Sequence, residues 1–169
     1  MTLTSDAPIT IKHSFPPVVD TDTRLLVCGS LPGEASLAAG RYYAHPQNQF
    51  WRLISPATGR DLTTLDYPAR LAALLAAGIG LWDVVASARR HGSTDAAIRD
   101  PAANDLAALA RRLPRLRTVA FNGGTAHRHG AKLLAGLPFA IVALPSSSPL
   151  HTIGLAAKQP AWATLRDAL

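Results

Sequence analysis

Four short apolar runs, each closed by turn residues and each parted from the next by a stretch of helical spacing, constrain this chain most. They are "RLLVCG" (24–29), "IGLWDVV" (79–85), "RTVAFNG" (117–123) and "FAIVALP" (139–145). A near-continuous apolar run of strand length reads as a strand buried on both faces, the condition of a parallel sheet. The intervening segments predict helices. "YPARLAALLAAG" carries Leu71, Leu74 and Leu75 at helical spacing before a glycine stop. "NDLAALARRLP" starts at a capping Asn104 and ends before Pro114, and "TAHRHGAKLLAG" and "AKQPAWATLRDAL" supply two more. Strands alternating with helices predict an α/β layered domain with right-handed crossovers. A chain of 169 residues, 48% of them apolar, supports one well-buried core and is short for two. One domain over residues 1–169 is therefore expected, with residues 1–20, which include Pro16 and Pro17, as an extended lead-in.

Several classes of chemistry are excluded by what the chain lacks. The single cysteine, Cys28, permits no intramolecular disulfide and no four-cysteine zinc or iron–sulfur site, and its apolar surroundings predict a buried small hydrophobe. The opening "MTLTSDAPITIKHS" has no basic start followed by an apolar core, so no secretory signal is read there. The longest uncharged apolar segment, Leu71 to Trp82, is shorter than the ~20 residues of a membrane span and is broken by Gly78 and Gly80. A cytoplasmic protein with no membrane partner is expected. Seventeen Lys and Arg against eleven Asp and Glu give a formal charge of +6, which favours an anionic partner.

In an open parallel sheet, ligands collect beyond the carboxyl ends of the strands. Four loops lie there: "GSLPGEAS" with its continuation through "YYAHPQNQFW", then "DVVASARRHGS", "NGGTAH" and "PSSSPLHT". The first holds glycines where backbone must approach something closely, but it lacks both the Lys-Ser/Thr ending of a triphosphate loop and the three-glycine dinucleotide pattern. Tyr42 and Tyr43 are either ordinary packing or a flat face on which a nucleobase stacks, worth ~1–3 kcal/mol per base. In the last loop, Ser146, Ser147 and Ser148 offer hydroxyls and backbone N–H groups to a phosphate, and an exposed Leu150 is shaped to wedge into a base stack; the alternative is a serine-rich turn with Leu150 tucked inward. His45 is expected to anchor a turn before Pro46. His127 and His129 face different sides of a helix and make a poor metal pair, so no metal site is expected. Lys132 and Lys158 are expected as surface groups on helices.

Taken in order, "GSLPGEAS", "YYAHPQNQFW", "LWDVVASARRHGS" and "LPSSSPLHT" resemble the uracil-DNA glycosylase superfamily, and within it the hypoxanthine-DNA (deoxyinosine) glycosylase branch. The resemblance covers most of the chain from about Pro16 onward. It implies a three-layer sandwich, a four-stranded parallel sheet of order 2-1-3-4 with helices on both faces. It also implies monofunctional removal of a deaminated base from DNA, hypoxanthine and with it uracil, by a monomer without a cofactor. One departure bears on mechanism: Leu31 stands where many members carry an Asp or Asn that orients the attacking water. The branch resemblance moves that task to the Asn of "HPxN", here Asn48, whose amide can orient water without titrating. The other reading of Asn48 is a cap for a helix starting near Gln49. Glu34 is the reserve candidate. Base binding is expected from Tyr43, Asp83, Gly29, Ser30, Leu31 and Asn122. Asp83 aligns with an Asn that reads the base edge in other members; a carboxylate only accepts hydrogen bonds, so it suits the N1–H of hypoxanthine and opposes the bare N1 of adenine. Its other reading is structural, paired with Arg89 or Arg90 or capping a turn. Arg89, Arg90, His91, His151 and the serine cluster are expected on the DNA backbone, with Leu150 filling the space left by a flipped nucleotide. Two rival readings remain: a mismatch-type uracil or thymine glycosylase, and a module that binds a damaged base or abasic site without cutting.

Overall fold

The computed structural model describes residues 10–169. In chain order it forms strands β1 (Thr10–His13) and β2 (Leu25–Gly29), then helices α1 (Glu34–Ala39), α2 (Phe50–Thr58) and α3 (Tyr67–Ala76). Strands β3 (Ile79–Asp83), β4 (Val85–Arg90) and β5 (Arg99–Ala103) follow, then helix α4 (Leu106–Arg112), strand β6 (Thr118–Asn122), helix α5 (Gly124–Leu133), strand β7 (Ala140–Leu144) and helix α6 (Leu155–Ala163). β3, β2, β6 and β7 pair in parallel in that order. This is the order 2-1-3-4 expected for the four apolar runs.

The period of two along each strand divides the core into two layers. Leu25 and Val27 of β2 face one side, against Phe50 and Leu53 of α2, Leu74 of α3 and Trp162 of α6. Leu26 and Cys28 face the other, against Leu106 and Leu109 of α4, Phe121 of β6 and Ala126 of α5. Each of these fully buried Leu or Phe side chains contributes ~1.5–3 kcal/mol by leaving water. Cys28 is the buried small hydrophobe expected, and burial pushes its thiol pKa well up, with the charge of Asp83 adding to the effect.

A second sheet, of order β1-β4-β5 and antiparallel, was not among the expected elements. The run 79–85 reads as one strand in sequence but divides at Val84, where the chain leaves one sheet for the other. The backbone N–H groups of Val84 and Val85 bond the carbonyls of Gly29 (2.8 Å) and Ser30 (2.9 Å), so the crossing point is sewn to the end of β2. β5 reads RDPAA, which has no apolar alternation and includes a proline. All five residues are exposed, and proline is tolerated there because β5 is an edge strand. Within the lead-in, residues 10–13 pair with Ser87–Arg90 and Val18 bridges to Leu81; residues 1–9 lie outside the described part. The expected cap of α4 shifts by one residue. Asp105, not Asn104, accepts from the Ala108 N–H at 3.0 Å, while the Asn104 amide donates to the Asp83 carbonyl (2.7 Å) and to Ser14 Oγ (3.0 Å).

Helix α5 lies so close to β6 that a Cβ on Gly130 would overlap the Phe121 ring at Cε1. Gly130→Ala should therefore destabilise the protein by up to about 2 kcal/mol, an overpacking cost of ~1–3 kcal/mol less the ~1 kcal/mol by which alanine is the better helix former. Urea unfolding should show a lower midpoint at an unchanged m-value.

Candidate active site

Beyond the carboxyl ends of the parallel strands the loops enclose a cavity of about 410 Å³, within the ~300–1,000 Å³ of ordinary ligand sites. Its wall includes Gly29 to Ser36 of the loop after β2, together with Tyr43, Asn48, Asp83, Asn122 and the serine loop after β7. The tip of the β4–β5 hairpin, Ser93 to Asp95, completes it.

A directed hydrogen-bond chain runs through this wall. The Ser147 N–H can only donate, and it meets Asn122 Oδ1 at 2.8 Å, which sets the orientation of the Asn122 amide. Asn122 Nδ2 then donates to Ser147 Oγ (2.8 Å) and to Tyr43 Oη (3.3 Å). Ser147 Oγ, already an acceptor, donates onward to Asn48 Oδ1 at 2.8 Å. The same Oδ1 accepts the Phe50 N–H at 2.9 Å, which is the capping geometry weighed for Asn48. Both lone pairs of Asn48 Oδ1 are thereby occupied. What Asn48 presents to the cavity is its Nδ2 donor.

Asp83 is buried at the end of β3, and its Oδ2 has no hydrogen-bond partner among the described residues. It pairs with neither Arg89 nor Arg90. Its carboxyl is pushed up to about 7, first by burial and then by the charge of Asp95, with Arg90 pulling the other way. A Cβ on Gly29 would lie 2.8 Å from Asp83 Oδ1 and 3.3 Å from Tyr43 Oη, so only glycine lets the two polar groups share this corner. Tyr43 reaches it through a left-handed backbone (φ 52°), a conformation that costs ~1–3 kcal/mol in a bulky residue. Stacking on Phe50, at 3.9 Å between centroids and 17° between planes, and the Asn122 bond hold it there. Burial and Asp83 raise the pKa of its hydroxyl. Tyr42 is packing: it is buried edge-on against Phe15, and its hydroxyl donates to the Pro16 carbonyl at 3.0 Å.

The hairpin grips the loop after β2 on both sides of Leu31. Leu31 packs into a small cluster with Val85, Ala88 and Ile98, so its apolar side chain anchors the loop to the second sheet. Arg90, expected on DNA, is buried instead and donates to the Leu31 and Pro32 carbonyls. Burial lowers its pKa. Ser93 Oγ accepts the Glu34 N–H at 2.9 Å, and Ser30 Oγ donates to Asp95 Oδ1 at 2.6 Å. Glu34 itself is ion-paired with Lys12 at 2.7 Å. Asp95 and Ser93 were not anticipated. Ser93 closes the segment "DVVASARRHGS", which marked its loop, whereas no signal could have found Asp95, because its place in the site depends on β4–β5 pairing that β5 does not advertise.

On the far side, Ser147 is buried within the chain just described and cannot reach a phosphate, contrary to expectation. Lys158 is also no surface group; it is fully buried, donates to Gln49 Oε1 (2.8 Å) and the Ser148 carbonyl (3.3 Å), and its pKa is lowered by burial. Leu150 is 61% exposed at the rim beside His151. Ser146 and Ser148 are half-buried, and Arg89 points outward within 3.9 Å of Asp100. His45 Nδ1 accepts the Gln47 N–H at 3.1 Å and so anchors the turn. Among the described residues no cluster of metal-ligating side chains forms, and no helix is long and apolar enough to cross a membrane.

Residues 16–166 match the family model described as the uracil DNA glycosylase superfamily. A Methanosarcina barkeri protein named hypoxanthine DNA glycosylase is 38% identical over 152 residues, covering 90% of this chain and 96% of that one. A Methanosarcina acetivorans protein of the same name is 41% identical over 138 residues, covering 82% and 87%. The solution NMR structure of a candidate uracil DNA glycosylase from Methanosarcina acetivorans superposes with a TM-score of 0.84 at 37% identity, over 94% of this chain and 99% of that one.

The raised carboxyl of Asp83 makes stability depend on pH in a set direction. Below about pH 4 both folded and unfolded states hold the proton; as pH rises toward 7 only the unfolded state releases it, so stability falls. Relative to Asp83→Asn, the wild type should lose up to about 4 kcal/mol between pH 4 and pH 8, at ~1.4 kcal/mol per pKa unit. Urea unfolding of both proteins at the two pH values measures it.

Proposed function

This chain belongs to the uracil DNA glycosylase superfamily and is a DNA glycosylase, and we propose that it excises deaminated bases, hypoxanthine first and uracil with it, by hydrolysis without strand cleavage. The observation that carries this reading is the corner where the unpartnered Asp83 carboxyl and the Tyr43 hydroxyl meet beside Gly29. Because Asn122 donates to Tyr43 Oη, the tyrosine's own proton is free to point into the cavity. An acceptor beside a donor complements the N1–H and O6 of hypoxanthine, and equally the N3–H and O4 of uracil. Adenine presents the reverse pair, a bare N1 and an amino group, and would leave buried polar groups opposed. The names of the two Methanosarcina relatives agree with hypoxanthine as the leading substrate.

Duplex DNA hides the bond, so the nucleotide must be flipped, at least cost from a mismatched pair. Leu150, exposed at the rim, would fill the gap, while Arg89, His91, His151 and the half-buried Ser146 and Ser148 would hold the backbone. The Tyr43 ring is already stacked on Phe50, so the tyrosine meets the base through its hydroxyl. Breaking the glycosidic bond builds positive charge on the sugar, so catalysis needs charge stabilisation and a placed water more than a strong nucleophile. Asn48 would hold that water through Nδ2. Among the described residues no lysine lines the cavity to form a Schiff base with the sugar, which supports hydrolysis alone.

Oligonucleotides carrying inosine, uracil or xanthine, or thymine opposite guanine, treated with alkali after incubation, test the reading. Inosine strands should be cut, and only after alkali. A protein that cuts uracil or mismatched thymine but spares inosine would establish the mismatch-type rival. Asn48→Ala should slow inosine release by about 10²-fold, and a rate equal to wild type would remove Asn48 from the mechanism. Asp83→Asn should shift the preference among bases with the fold intact.

A further inference from the structure

We propose that Asp95, carried on the tip of the β4–β5 hairpin, is the catalytic carboxylate of this site, accepting hydrogen bonds from the attacking water and taking its proton. The inference rests on the glycosylase reading above. A water that attacks the sugar must give up a proton, and the carboxylates on the cavity wall able to take it are Glu34, Asp83 and Asp95. Leu31 has no polar atom and is committed to the cluster with Val85, Ala88 and Ile98. Asn48 Oδ1 is saturated by Phe50 N–H and Ser147 Oγ–H. Glu34 is ion-paired with Lys12 at 2.7 Å. Asp83 belongs to the base corner beside Gly29 and Tyr43.

Asp95 remains. It lines the cavity, and its Oδ1 takes the Ser30 Oγ–H at 2.6 Å, which locks the side chain beside the loop after β2. Its Oδ2 has no protein partner among the described residues. The hairpin is fastened to the same loop at three further points, through Arg90, Ser93 and the Leu31 cluster, so the carboxylate is held by a braced element. Its charge reaches Asp83, whose carboxyl it helps to push up.

The step balances as follows. The N-glycosidic bond breaks with its electron pair leaving on the base, and the negative charge of Asp95 stabilises the sugar cation. The water oxygen bonds C1′, one water proton passes to Asp95 Oδ2 and then to solvent, and the base anion takes up a proton from solvent.

The test uses the full chain and an inosine oligonucleotide under single-turnover conditions, together with affinity for a duplex carrying a tetrahydrofuran abasic-site analogue. Asp95→Asn keeps an oxygen for Ser30 but removes the charge; its cleavage rate should fall about 10²-fold or more while affinity for the analogue stays within about twofold. Asp95→Glu, which keeps the carboxylate on a longer arm, should be faster than Asp95→Asn even though it fits the space less well. A D95N rate within about threefold of wild type, or a D95N rate equal to or above D95E, overturns the proposal; so does a parallel loss of rate and analogue affinity, which would make Asp95 a loop brace only. A wild type that cuts inosine normally beside an unaffected D95N removes Asp95 alone, whereas a wild type that cuts none of the deaminated substrates overturns the glycosylase reading and this inference with it.

Discussion

One backbone donor sets the polarity of the whole site. The Ser147 N–H fixes Asn122 Oδ1, and every later hydrogen in the chain through Ser147 Oγ, Asn48 and Tyr43 has only one place to go. The chain ties together the end of β6, the loop after β7 and the start of α2, three segments far apart in sequence. Buried polar groups satisfied in this way rigidify a site, and a half-satisfied network would be worse than an apolar wall. The consequence is chemical as well as structural: Tyr43 is left as a donor, and Asn48 is left with only its amide hydrogens to offer.

The second sheet explains how an apolar residue can stand at the head of the first loop. A loop of two glycines, one proline and a single leucine has little to hold it, yet here the β4–β5 hairpin seats Leu31 in an apolar socket and captures two carbonyls with a buried guanidinium. Burying Arg90 costs desolvation, and carbonyl oxygens return part of it through charge-assisted bonds. The polar function missing at Leu31 and the hairpin that clasps it are two sides of one arrangement. The loop is anchored by packing, and Asp83 from β3 and Asp95 from the hairpin face the cavity beside it.

Among the described residues the cavity wall carries carboxylates but no lysine or arginine. The chain carries a formal +6, with Arg89 pointing outward near the rim, while Asp83 and Asp95 face the cavity. An anionic polymer is drawn to the outside by the first set. Inside, the second set presents acceptors, one buried until its proton is half held near neutral pH and one pinned by a serine.

Apolar periodicity determined the parallel sheet, its flanking helices and the two-layer core, because burial on both faces of a strand is a local property of side chains at a spacing of two. The loop positions followed, since parallel strands send their carboxyl ends to one side; Gly29, Tyr43, Asp83, Asn48 and Asn122 were legible as neighbours for that reason. Tertiary structure alone decided which polar atoms are spent and which are free. Ser147, Arg90 and Lys158 look like surface donors in sequence but turn inward, because carbonyls and amides from distant segments are there to receive them. Asp95 was invisible for the converse reason: β5 has neither alternation nor β-propensity, and only pairing with β4 brings the hairpin tip to the cavity. Hydrogen-bond direction is a property of partners, and partners across 25 to 109 residues of separation exist only once the chain has folded.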